Sequence, residues 1–381
     1  MRRFEALALA LLLFLAPITG RGAPEVHLSS EPPPLSLTRE KTFTIAMLES
    51  ENELFLDPVR ATETHSLIVL DGLFEGLFSF HPETGNPIPA LAQQVEISDD
   101  GLTWVFTIQE KSHYSNGEQI TAKSLVDSWL WLLGQSQSGE GNTYLVSMFD
   151  SVVGVEDFRK GRVSTPPAGI TAIDSRTIEL RLLKAAPYLP ALLSTLPFSA
   201  IHSSLRNGKE PMGPTDIIAS GPYHIAEYTP STILLEKQPW YADHTSVPSD
   251  YIAFRFLSHE KIVEAFVNRE VHWSLAYIPR ELLHQPQDLR ISAEYSSGFF
   301  YFNAQENPYK DPKVRRALGL LVPWHEIRAN SGHIFPTARL LPEHPDPTTD
   351  PVARLHDPIE EAFELLLEAG YPYGAGLPPL Y

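Results

Sequence analysis

The sequence predicts an α/β fold arranged in two lobes. The chain has 381 residues, more than one ordinary domain needs. Hydrophobic residues make up 43% of it, enough to bury a sizeable core. Segments with strand-like alternation are interleaved with amphipathic helical segments along its length.

The elements follow in order. Arg2 and Arg3 precede the apolar run Ala6 to Ala16, and the small residues Gly20, Gly22 and Ala23 come after it. This is a secretory signal-peptide pattern over residues 1–22. The competing reading is an uncleaved anchor, but the run falls well short of the ~20 apolar residues of a spanning helix. Pro24, Pro32, Pro33 and Pro34 make residues 23–40 an extended linker. Thr42 to Leu48 alternates as a first strand. Leu67, Ile68, Leu70, Leu73, Phe74 and Leu77 recur at helical spacing. His81 to Pro89 reads as a turn, as does Asp99-Asp100-Gly101. Trp104, Phe106 and Ile108 alternate along a strand. Asn116-Gly117 favours the positive φ angles of a tight hairpin. Thr121 can cap a helix whose Leu125, Val126, Trp129, Leu130 and Leu133 face a core. Gly134 to Asn142, rich in Gly, Ser and Gln, reads as a loop. Strands are expected at Thr177–Leu182, Tyr223–Tyr228, Thr232–Lys237 and Ile252–Leu257, with a short helix between Pro187 and Phe198 and another over Glu260–Val267. Pro323 should interrupt a helix. Glu360 to Tyr371 is amphipathic and ends at Gly370, a natural C-cap. Tyr373 to Tyr381 reads as the start of a strand.

Composition removes several functions. With 47 acidic and 29 basic residues the formal net charge is −18, which disfavours nucleic acid and anionic membranes as partners. There are no cysteines, so disulfides, thiolate metal sites and cysteine nucleophiles are excluded. G-x-S-x-G, G-x-G-x-x-G, P-loop and HExxH motifs do not occur. A histidine-only metal site assembled in three dimensions stays open, but no motif points to a metal, a cofactor or catalytic residues. Trp104 and Trp129 sit on core-facing patterns. Trp240, Trp273 and Trp324 remain as surface candidates.

The ordered series LFEGLF, PALA, SDDGLTW, SNGE and SW between Leu73 and Trp129 resembles the large extracytoplasmic solute-binding proteins of bacterial ABC importers, family 5, and within them the oligopeptide- and dipeptide-binding branch. Ser220-Gly221-Pro222-Tyr223, Pro312 to Leu318 (PKVRRAL) and Glu360 to Tyr371 (EEAFELLLEAGY) extend the likeness from about Thr42 to the end of the chain. The resemblance implies a two-lobed periplasmic binding protein-like fold of the large, cluster C type. It implies a lobe I core from 41–74 and 201–297, an additional subdomain over 75–200, and the N-terminal part of lobe II over 298–381. It implies a non-enzymatic, monomeric protein of the periplasm, without a cofactor. Such a protein takes up a peptide or similar small solute (nickel and sugars occur among relatives) and delivers it to membrane permease subunits. With no cysteine there is no lipidation site.

The resemblance also places ligand contacts. Glu63 and His65 fall just after the strand-then-Asp57-Pro58 pattern; Glu63 can meet a peptide ammonium, or simply favour a helix N-terminus. Gly141, Asn142 and Tyr144 fall in a second cleft-lining segment, with core burial of Tyr144 the competing reading. Ala276 and Tyr277 follow a strand entry, and Tyr295 and Ser297 lie on the segment YSSGFFYF that crosses towards the other lobe, with Gly298 near a hinge. Three departures stand out. Arg269-Glu270-Val271-His272 replaces the usual Gly-Glu-(Ile/Val)-Asp. Val322-Pro323-Trp324-His325 replaces an acidic-basic pair. The chain stops at Tyr381 where relatives continue, so a truncated or split member with weakened or lost ligand binding is expected. The runner-up reading is a degenerate scaffold with a secreted interaction or chaperone-like role.

Overall fold

A computed structural model describes residues 42–49, 54–138, 143–206, 213–279, 282–283, 301–323 and 359–378. The expected signal peptide and linker, together with Gly141, Asn142, Tyr295, Ser297, Gly298 and Trp324, lie outside these residues. The chain divides into two compact units, a larger one over Val26–Leu283 and a second that carries 301–323 and 359–378.

In the larger unit, β1 (Thr42–Leu48) buries residues on both faces, with Met47 in one core and Ala46 in another. A strand covered on both sides is central in its sheet. α1 (Thr64–Leu73) buries Val69, Leu70 and Leu73. It ends at Leu73, four residues before the expected periodicity does, and Phe74 is already extended. The chain leaves the helix to bring Gly76 against the backbone of Leu193, where an added Cβ would stand 2.5 Å from the carbonyl oxygen. β2 (Phe78–Phe80) and β3 (Pro87–Pro89) then pair antiparallel, so the expected turn at His81–Pro89 is a small hairpin with Gly85 at φ +66°.

β4 (Ala92–Ile97) and β5 (Thr103–Ile108) pair across the Asp99-Asp100-Gly101 turn. Trp104, Phe106 and Ile108 are buried, as their alternation predicts. Gly117 takes φ +85° in the Asn116-Gly117 turn. α2 (Ala122–Gln135) opens with a capping box. Thr121 Oγ1 accepts from the Ser124 N–H at 3.1 Å, and Ser124 Oγ accepts from the Thr121 N–H at 2.9 Å. The helix runs through Gly134 into a 3₁₀ turn at Ser136–Ser138, where the composition had suggested a loop. Leu132 and Leu133 hold its last turn in the core, and the Ser136 N–H closes it onto the Leu132 carbonyl. α3 (Thr143–Met148) follows, then β6 (Ile170–Ala172) and β7 (Thr177–Arg181). These strands form a sheet in the order β4-β5-β7-β6, and α2 lies against it with Trp129, Phe149 and Phe198 in the packed centre. Trp129 Nε1 donates to the Phe198 carbonyl at 2.9 Å, which satisfies the one polar atom of a fully buried indole.

β8 (Tyr223–Thr229), β9 (Thr232–Lys237) and β10 (Tyr251–Leu257) come next, then α4 (His259–Val267) and β11 (Trp273–Ser274). The sheet order is β11-β1-β10-β9-β8, with β1 parallel to both β10 and β11. α1 packs with Met47, Ile233, Leu235 and Phe254 on one face. α4 packs with Ala46 and Val271 on the other. Arg269, where the resemblance led to an expected Gly, has φ +56°, the left-handed region. His272 accepts the Thr44 N–H on Nδ1 at 3.0 Å and stacks on Phe43. Burial holds its pKa below the ordinary histidine value.

In the second unit, α5 (Pro312–Leu321) starts with Asp311 accepting the Lys313 N–H at 2.8 Å and Pro312 in the first turn. It stops before Pro323, as expected. α6 (Ile359–Glu368) closes with Gly370 at φ +85° and the Tyr371 N–H on the Leu366 carbonyl at 2.7 Å. The two helices share a small core of Ala317, Ala362 and Leu366. The strand expected from Tyr373 is not seen among the described residues. Pro372–Gly374 is a 3₁₀ turn, and positive φ at Gly374 and Gly376 keeps the following chain out of a ladder.

Candidate ligand-binding site

Two features of the larger unit can hold a ligand. The first follows from topology. β1 hands on to α1 on one face of its sheet, whereas β10 hands on to α4 on the other and the chain returns as β11. The connections therefore part at the carboxyl ends of β1 and β10, and a crevice opens at such a switch point in α/β sheets. The residues there are short of cover. Leu48, Leu275 and Tyr277 are exposed, Tyr277 to 59%, and so is Phe55. The edge is nevertheless well tied. The Glu49 N–H bonds the Leu257 carbonyl at 3.0 Å, and the Leu275 N–H bonds the Ala46 carbonyl at 3.0 Å. Ser274 Oγ accepts the Ala276 N–H at 3.1 Å, and His259 Nε2 lies 3.1 Å from the Tyr277 carbonyl.

Four of the expected ligand contacts fall on this edge. Glu63 is the N-cap of α1 and its side chain makes no capping bond. His65, in the first turn, meets Phe256 of β10 edge-on at 6.5 Å. Ala276 is half-buried and Tyr277 exposed, just past β11. Tyr144 is elsewhere. It stands on α3 in the β4-β5-β7-β6 portion and is 75% exposed, so it is not a core residue. Gly141, Asn142, Tyr295 and Ser297 lie outside the described residues. Sequence reasoning passed over Phe55 and His259. Phe55 is stacked by the Arg60 guanidinium, which Asp57 holds at 2.8 Å, so the Asp57-Pro58 pattern was a signal for it.

The second feature is a pocket where the β4–β5 pair meets the five-stranded sheet. Glu75, Gln109, Ser112, His113, Ser220, Tyr241 and Asp243 supply its polar lining. Tyr241 donates its hydroxyl to Glu75 Oε1 at 2.7 Å. Burial is the main reason that the Glu75 pKa is pushed up to about 7; Asp71 and Asp243 add to it, and the Tyr241 hydrogen bond opposes it. Burial and the neighbouring carboxylate likewise drive the Tyr241 pKa upward. Sequence patterns had placed Glu75 only within the LFEGLF signature. A lone acid in an apolar run was the available signal.

The profile of the bacterial extracellular solute-binding proteins, family 5 (Middle), matches residues 86–379. The chain belongs to this family. It is 27% identical over 340 residues to the periplasmic oligopeptide-binding protein OppA of Salmonella typhimurium, a match covering 83% of this chain and 60% of that protein. It is 24% identical over 311 residues to the periplasmic murein peptide-binding protein MppA of Escherichia coli, covering 77% and 55%. A crystal structure of a periplasmic oligopeptide-binding protein from Borrelia burgdorferi is similar with a TM-score of 0.75 at 26% identity, covering 90% of this chain and 69% of that one. The family 5 chain described here thus has the α/β periplasmic binding-protein fold that the sequence predicts. It spans 60% and 55% of the length of these two curated relatives.

Proposed function

We propose that this chain is the periplasmic substrate-binding component of an ABC importer, which binds peptides or similar small solutes and passes them to membrane permease subunits. The observation that carries this reading is the switch-point edge at the ends of β1, β10 and β11, where Leu48, Phe55, Leu275 and Tyr277 are exposed in a family 5 chain. Apolar and aromatic surface of this kind suits an extended peptide, which family 5 binding would hold by its backbone while its side chains stay in wet pockets. On this reading Glu63 offers its carboxylate to the peptide ammonium or a basic side chain, and His65, Ala276 and Tyr277 line the cleft. Tyr144, Gly141, Asn142, Tyr295 and Ser297 complete the proposed contact set. The role is binding without catalysis, in a monomer exported by a cleaved signal peptide and not lipidated. Residues 41–74 and 201–297 act as the core of the ligand-holding lobe, and 75–200 as its added subdomain.

Thermal unfolding of the chain from Ala23, with and without a pool of tri- to pentapeptides, tests this. A ligand that binds only the native state raises the melting temperature by an amount that grows with the logarithm of its excess over Kd. An upward shift that grows with peptide concentration, without peptide consumption, is the expected result. A cooperative melt that peptides do not move would overturn the peptide reading. Consumption of the peptides would point instead to a hydrolase.

A further inference from the structure

The pocket beside Glu75 has the makings of a site of its own. Its polar lining holds two carboxylates, Glu75 and Asp243, and neither Lys nor Arg. Ser112 is 1% exposed, lines the pocket, and its Oγ has no hydrogen-bond partner among the described residues. Buried hydroxyls are normally paired, so an orphan of this kind marks a place where something else completes the bonding. Ser220, also buried, receives the Glu75 N–H on its Oγ at 3.1 Å. Gln109 turns its amide nitrogen to the Ala90 carbonyl, which frees its oxygen for another partner. The cavity has a volume of about 20 Å³ for the centres of water-sized particles. One such particle needs ~10–15 Å³. The polar lining is thus mostly oxygen, with the His113 ring beside it, and it carries two carboxylates around a space for a single small particle, which suits a small hard cation better than a soft metal.

We propose that the pocket formed by Glu75, Gln109, Ser112, Ser220, Tyr241 and Asp243 is a binding site for one small monovalent cation, ammonium or an alkali ion. The cation takes the place of the basic partner that the Glu75 carboxylate lacks. It gives Ser112 Oγ a partner and ties the β4–β5 portion to the loop after β9 that carries Tyr241. The titratable groups around the carboxylate are Asp71, His113, Tyr241 and Asp243. The proposal does not rest on the peptide reading.

Thermal melts of the whole mature chain at pH 8 and constant ionic strength, in ammonium, potassium, sodium or choline chloride, test it. Choline is too large for the cavity. A concentration-dependent rise of about 2 °C or more over choline is expected for at least one small ion, and the ion that produces it separates ammonium from alkali sources. The rise should vanish in Glu75→Gln and in Ser112→Ala, both of which keep the Tyr241 contact or leave it untouched. Should Glu75→Gln not fold, Ser112→Ala alone carries the comparison. Equal melting temperatures in all four salts, or an ion effect that survives in both variants, would overturn the proposal.

Discussion

At the scale of single residues, two positions hold the fold away from its most comfortable state, and each makes a prediction. Glu75 has no basic partner among the described residues, and its pKa is raised from 4.5 to about 7. Between those values the native state holds a proton that the unfolded chain has lost. Stability therefore falls as pH rises from 4.5 to 7 and levels off above it. The full shift corresponds to about 3 kcal/mol. Glu75→Gln keeps an acceptor for Tyr241 and removes the charge. In choline buffer its stability should match the parent at pH 4.5 and exceed it by roughly 2–3 kcal/mol at pH 8, as read by urea unfolding across pH. Parallel curves would show that Glu75 ionises freely. Arg269 is the second position. A non-glycine residue at φ +56° costs about 1–2 kcal/mol relative to the right-handed region, and glycine escapes most of that. Arg269→Gly should raise the urea midpoint by about 1 kcal/mol in stability, less any loss from greater freedom in the unfolded chain. No gain would mean that the Arg269 side chain makes good its own strain.

Local chemistry and tertiary context divide the work at the scale of elements. The start of α2 was legible because Thr121 and the helix after it carry the whole signal within a few residues, and the capping box forms. Thr121→Ala should cost about 1 kcal/mol in urea unfolding, with the fold intact by circular dichroism. Ser124→Ala should cost a similar amount, since each hydroxyl serves the other's N–H; a double variant whose loss equals the sum would show that the two bonds act independently. The end of the same helix was not legible. Gly134 to Ser138 has the composition of a loop, yet buried Leu132 and Leu133 carry the helix onward. α1 shows the opposite error. Leu77 continues its apolar period, but Gly76 must pass against the Leu193 carbonyl, a neighbour more than a hundred residues away that no local pattern reveals. The strand expected from Tyr373 was overruled by Pro372, Gly374 and Gly376, whose backbone preferences outweigh the aromatic residues beside them.

At the scale of the whole molecule, the strands were legible and their order was not. β1 lies between β10 and β11, partners some two hundred residues downstream, and it is this pairing that gathers Glu63, His65, Ala276 and Tyr277 on one sheet edge. Spacing alone cannot bring such distant residues together, so those positions came from resemblance. The Glu75–Tyr241 contact spans a similar gap and escaped notice for the same reason. The ordering of the sheet yields the last prediction. If the switch-point edge holds the ligand, Tyr277 should contribute through its exposed ring, whereas Tyr144, on α3 in another part of the unit, depends on a different segment of the cleft. Tyr277→Ala removes a side chain that no core depends on, so the melting temperature without peptide should stay within about 2 °C of the parent. Peptide affinity by calorimetry should drop about 5- to 30-fold, the span that 1–2 kcal/mol of lost aromatic contact represents. Tyr277→Phe should retain most of the affinity, because the ring rather than the hydroxyl covers the ligand. If Tyr277→Ala binds as well as the parent while Tyr144→Ala does not, the ligand sits against α3 and the carboxyl edge of β1, β10 and β11 is not its principal seat.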